Sequence, residues 1–189
     1  IHRRIHMLSN EEYEKILRET KNEFPDFEII QKNASTLMSV IDVFLKLVSF
    51  GRMKTFKTGF ITAIGNKVYV PQSWVVYPPA AKSKIIRHER IHMRQSKKYG
   101  RMIFSLLYVL TPLPIGFAYF RRKFEQEAYE ESLGAVYEYL GEKALRSPEL
   151  KKETIENFIG PNYLWTWLSK KDIESWYDSV VEKIASKQD

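Results

Sequence analysis

The chain has 189 residues, 44% of them hydrophobic and 28% charged, which suits one globular domain with a substantial core and excludes a disordered polymer. It has no cysteine, so neither a disulfide framework nor a thiolate-ligated metal site can form. The formal charge of +7 comes without a recognised nucleic-acid-binding motif; basic residues are spread along most of the chain with glutamate interleaved, and a surface with surplus lysine accounts for it.

The first residues, IHRRIHMLSNEEYEK, contain no apolar stretch and do not read as a signal peptide, which with the lack of cysteine favours an intracellular setting. Ser9 and Glu12 fit a capping box and predict a helix start, with Tyr13, Ile16 and Leu17 on one face and Pro25 at its end. Phe27–Gln31 reads as a short strand, and Ala34–Phe50 as an apolar-rich helix closed by Gly51. Two strand-like runs, Phe60–Ile64 and Lys67–Val70, flank Gly65-Asn66 and predict a hairpin, with Pro71 stopping the pairing as at an exposed edge. Pro78-Pro79 opens the next helix and Gly100 closes it. A further long helix covers Ala118–Leu140 and stops at Gly141. The tail predicts helices near Leu150–Phe158 and Lys171–Ile184, separated by the aromatic stretch GPNYLWTW, with Asp172 near the start of the last one.

The segment Met102–Phe120 carries no charge and is flanked by Arg101 and Arg121. Its length suits a membrane span, but Thr111-Pro112-Leu113-Pro114 breaks it into arms far shorter than the ~20 residues a spanning helix needs. A buried helical hairpin or turn is the preferred reading, and a membrane-dipping or partner-binding element is the alternative.

The chemistry concentrates in His88-Glu89-Arg90-Ile91-His92. Residues i and i+4 share a helix face, so both imidazoles can reach one metal ion, at about 2.0–2.1 Å for zinc. Glu89 sits about 100° around the helix from His88, beside such an ion, where its carboxylate can take a proton from the water that the metal activates. An isolated HExxH is only moderately specific; a charged helix that happens to carry two histidines is the bland alternative. Two histidines leave a catalytic zinc one protein ligand short, and no third histidine follows in HExxHxxGxxH register. Glu125, Glu127 and Glu130 on the next long helix compete for that place; Glu125 and Glu127 lie about 200° apart and cannot share a face. Gln95, one turn past His92, either supports the site by a hydrogen bond or is exposed. Tyr163 can donate to a developing oxyanion, although packing beside Trp165 and Trp167 is the preferred reading. His2 and His6 share the i, i+4 spacing without an intervening glutamate and read as surface residues.

A hairpin, HExxH and then Glu125-Gln126-Glu127-Ala128-Tyr129 resembles the gluzincin group of metallopeptidases, over roughly residues 59–130. HExxHxxQ, with Gln95, is similar to small uncharacterised zincin-like proteins, some from phages. The resemblance implies that the glutamate three residues before the alanine, Glu125, is the third ligand. Tyr129 stands where the family often has an aspartate that supports a ligand. The resemblance also gives the hairpin a role: an exposed strand, either Phe60–Ile64 or Val68–Val70, would hold the substrate backbone antiparallel to itself.

The expected fold is α+β, a single mostly helical zincin-like domain over residues 1–189 with its core at 59–140 and a small antiparallel sheet beside the HExxH helix. The expected function is zinc-dependent hydrolysis of a peptide or protein substrate, with Glu89 as general base. The rival is a catalytically silent zincin-fold binding module in a larger assembly, against which an intact Glu89 argues.

Overall fold

The structure, a computed structural model, describes residues 2–48, 56–59, 61–109, 118–160 and 169–187. Most of the described residues are helical, and a three-stranded sheet completes an α+β architecture. The chain divides into two compact units, Ile1–Met93 and Arg94–Asp189.

In the first unit, helix α1 runs His2–Glu23, so Ser9 lies inside the helix and the capping box does not start it. The preceding IHRRIHML has no glycine or proline and several good helix formers, so the helix propagates through the serine. It ends where Phe24 N donates to Thr20 O (2.8 Å) and Pro25 has no amide proton to continue the ladder. Strand β1 (Glu28–Gln31) follows, then a turn of 3-10 helix at Lys32–Ala34 and helix α2 (Thr36–Val48). The expected end of α2 at Phe50-Gly51 lies outside the described residues.

After a short helical turn, α3 (Phe56–Gly59), come strands β2 (Thr62–Ile64) and β3 (Lys67–Val70), paired antiparallel around Gly65, whose φ of 61° only glycine adopts readily. The sheet is mixed and not purely antiparallel: its order is β1-β3-β2, and β1 pairs parallel to β3 with Ile29 opposite Val68 and Gln31 opposite Val70. A parallel pair needs a crossover, which the helical chain between β1 and β3 supplies. Strand β3 is therefore central, with Val68, Tyr69 and Val70 buried. Pro71 closes that central strand and does not mark an edge; it leads into a 3-10 turn, Gln72–Val76, that buries Trp74.

Helix α4 (Pro79–Tyr99) has the expected limits: Pro79 is its first residue and Gly100, at φ 82°, stops it. Ile86 and Met93 share a core with Val68 and Val70 of the sheet, with Ile16 and Phe24 of α1, and with Phe27 and Trp74, which sets the sheet beside the HExxH helix. Arg90 points elsewhere, binding Glu19 (3.0 Å) and Glu23 (2.7 Å) of α1.

In the second unit, α5 (Arg101–Val109) precedes α6 (Ala118–Leu140), which ends at Gly141 as expected, with φ 80°. The break at 111–114 lies outside the described residues. The buried reading fails at the described ends of the apolar segment: Met102 is 87% exposed, and Ile103, Tyr119 and Phe120 are exposed too. A short α7 (Glu142–Leu145), absent from the sequence reading, leads to α8 (Pro148–Ile159) and α9 (Lys170–Ala185). Ser147 and Ser169 cap the last two by accepting the amides of Leu150 and Asp172. Leu133 and Val136 of α6 pack with Leu145, Tyr177, Val180 and Val181, and the Tyr177 hydroxyl donates to Leu145 O at 2.9 Å. Among the described residues no helix is long and apolar enough to cross a membrane.

Candidate metal centre

Helix α4 places His88 and His92 one above the other, as their spacing requires. Their Nε2 atoms stand 3.2 Å apart, with the rings edge-on at 77°. Helix α6 brings Glu125, and one ligand atom from each of His88, His92 and Glu125 lies within 4.8 Å of the others. His92 and Glu125 are buried and His88 is half-buried. Two nitrogens bonded at about 2.0–2.1 Å to one tetrahedral ion would be about 3.3 Å apart, close to the separation present. A carboxylate with no exposed surface is expensive without a compensating cation, and an ion shared with two imidazoles is one. The group could hold a metal ion.

The three carboxylates that compete in the sequence have different environments. Glu125 joins the histidines. Glu127 accepts a hydrogen bond from Gln95 Nε2 at 2.9 Å, and Glu130 pairs with Lys183 at 2.8 Å. Gln95 is buried, which removes the exposed alternative; its amide also donates to the carbonyl of Phe124 at 3.1 Å, the residue next to Glu125. It thereby holds α6 at the point where the carboxylate leaves the backbone.

Glu89 is buried on the same helix as the histidines, and it is not one of the three grouped ligands. Tyr129 packs against α8: its hydroxyl accepts from Asn157 Nδ2 at 2.9 Å and its ring lies 5.1 Å from that of Phe158. Tyr163, Trp165 and Trp167 lie outside the described residues, as do the side chains of His2 and His6. Of the two strands considered for holding a peptide backbone, β3 is flanked on both sides, whereas β2 has one free side in the described sheet.

One residue that sequence reasoning missed lies near Glu89. Lys32 is 1% exposed, and its Nζ donates to Thr62 Oγ1 of β2 at 3.0 Å. Burial pushes its pKa down to about 8, and the carboxylates of Glu89 and Asp42 oppose that shift. Nothing in the pattern around QKNAS says that this lysine turns inward. Asp42, also buried, binds Lys46 at 2.7 Å.

In comparisons with known proteins, no family model, no curated protein and no solved structure matches the chain.

Proposed function

We propose that the chain is a zinc-dependent metallopeptidase. The observation that carries this reading is the convergence of His88, His92 and Glu125 to within 4.8 Å, with a buried Glu89 inside the same HExxH turn. Two imidazoles and one carboxylate are a donor set of catalytic zinc, with the fourth position left for water or substrate. When bound, zinc supplies Lewis acidity, which makes water a better nucleophile near neutral pH and polarises the substrate carbonyl.

The chain's own residues do the rest. Glu89 accepts a proton as the water oxygen attacks the carbonyl carbon. It returns that proton to the amide nitrogen as the C–N bond breaks, leaving an amine and a carboxylic acid. The buried Lys32 places a positive charge near Glu89 and ties it to β2 through Thr62. Strand β2 offers main-chain groups on its free side for an extended peptide, which would supply affinity without fixing side-chain choice.

The purified protein is expected to hold about one zinc per chain. His88→Ala and His92→Ala should abolish binding. Among Glu125→Gln, Glu127→Gln and Glu130→Gln, the first should weaken it most. Elemental analysis and competition with a chromogenic chelator measure both. Undiminished zinc in the histidine variants would refute the site, and a larger loss from Glu127→Gln or Glu130→Gln would refute the third ligand.

A further inference from the structure

We propose that the exposed apolar end of the second unit, at Met102 and Ile103 of α5 and Tyr119 and Phe120 of α6, docks on an anionic phospholipid bilayer. The first observation is exposure. Met102 is 87% and Ile103 56% exposed, and Tyr119 and Phe120 are 49% and 36%. Phe104, between them in sequence, turns inward instead, its ring 5.1 Å from that of Phe124. The helix therefore has a packed side and an open apolar side. Tyr119 and Phe120 stack edge-on at 5.5 Å, an aromatic pair at the start of α6.

The second observation is charge, and it names the partner. From Arg94 to Lys123 the sequence has no aspartate or glutamate, and it carries seven cations: Arg94, Lys97, Lys98, Arg101, Arg121, Arg122 and Lys123. The remaining 23 basic residues equal the 23 acidic ones in number, but they too are unevenly placed, since residues 43–88 carry eight cations and no acidic residue. Within residues 94–123 the cations lie on both sides of the exposed apolar residues in sequence. Lys97, Lys98, Arg101 and Lys123 are exposed, and the Arg122 guanidinium lies 4.8 Å from the Tyr119 ring centre.

Apolar side chains set between cations and a tyrosine match the layers of a membrane surface. Hydrocarbon takes the first, phosphate the second, and the headgroup zone the amphipathic ring. Juxtaposed lysines and arginines are drawn to anionic leaflets, and the attraction falls off within a Debye length. With nine residues, α5 is about 13 Å long, far short of the ~30 Å hydrocarbon core, so the contact is made at one surface. A second copy would set like charges against one another at this end, whereas an anionic leaflet complements the exposed Lys97, Lys98, Arg101 and Lys123.

The test is co-sedimentation of the full chain with vesicles of phosphatidylcholine alone, or with about 30 mol% phosphatidylglycerol, in about 0.1 M and about 0.5 M salt. Binding to the anionic vesicles is expected to be at least about tenfold tighter, and to weaken in the higher salt. The exposed pair Met102→Ser/Ile103→Ser should lower it about tenfold with an unchanged circular dichroism spectrum, and Lys97→Gln/Lys98→Gln/Arg101→Gln should remove the preference for anionic lipid. Equal affinity for both vesicles, binding to neither, or binding that both variants leave intact would overturn the proposal. So would self-association in sedimentation velocity that Met102→Ser/Ile103→Ser abolishes in a protein that ignores vesicles, since the occupant would then be a second copy.

Discussion

At the scale of single residues, the structure separates what spacing can decide from what it cannot. His88 and His92 meet because i and i+4 share a face, and the motif alone is enough to pair them. The choice among Glu125, Glu127 and Glu130 is different. Helix geometry excludes only some combinations, and the register with Ala128 singles out Glu125 through a family resemblance. The structure gives each carboxylate its own neighbour. Lys32 was illegible, because the direction of a lysine side chain depends on packing that no local pattern records. It yields a prediction that needs no substrate. Its pKa is about 8 when folded and near 10.5 when not, so between those values the unfolded chain holds a proton that the folded chain lacks. The cost of burying the charged ammonium is present in full below about pH 8 and is relieved as the pH rises toward 10.5. In metal-free protein, the stability of the wild type relative to Lys32→Met should therefore increase across that window. Urea unfolding of the two proteins at matched pH measures it, and a difference that stays flat or falls with pH would contradict the placement of Lys32.

Among the secondary-structure elements, proline and glycine limits were readable, whereas the Ser9/Glu12 capping box misplaced the start of α1. Pro79 and Gly100 bound α4, Gly141 ends α6, and Asp172 lies in the first turn of α9, whose cap Ser169 was not read. The hairpin was readable from Gly65 between two β-rich runs. What failed was long-range pairing. Strand β1 was expected, but its parallel match to β3 joins segments far apart in sequence, and no local signal encodes that partner. That missing strand is why β3 was taken for a strand with a free side. The most functional link between elements is Gln95, through which α4 reaches the Phe124 carbonyl and Glu127 of α6. Gln95→Ala removes a buried amide that donates two hydrogen bonds to α6, which should cost about 1–3 kcal/mol of stability. It should also loosen the turn that presents Glu125 and lower metal affinity about 10–100-fold. Chemical denaturation and metal titration on one preparation report both. Stability within about 0.5 kcal/mol of wild type, as for an ordinary surface site, would contradict that role.

At the scale of the whole molecule, two different observations bear on what the chain does. An acid-free run of cations flanks the exposed apolar residues of the second unit, which underlies the proposed membrane contact. The grouped histidines and glutamate, which could hold a metal ion, underlie the proposed catalysis. The central claim is the second, and it turns on Glu89, because a metal held for structure alone has no use for a general base. Glu89→Gln keeps the shape of the side chain and leaves His88, His92 and Glu125 untouched. The direct measurement is zinc content and hydrolysis of a mixed peptide library, read by mass spectrometry on the same wild-type and Glu89→Gln samples. The account predicts about one zinc per chain in both, with cleavage in the variant reduced about 10²–10⁴-fold. Full cleavage by the zinc-loaded variant, or zinc-loaded wild type that cleaves nothing in the library, would contradict it.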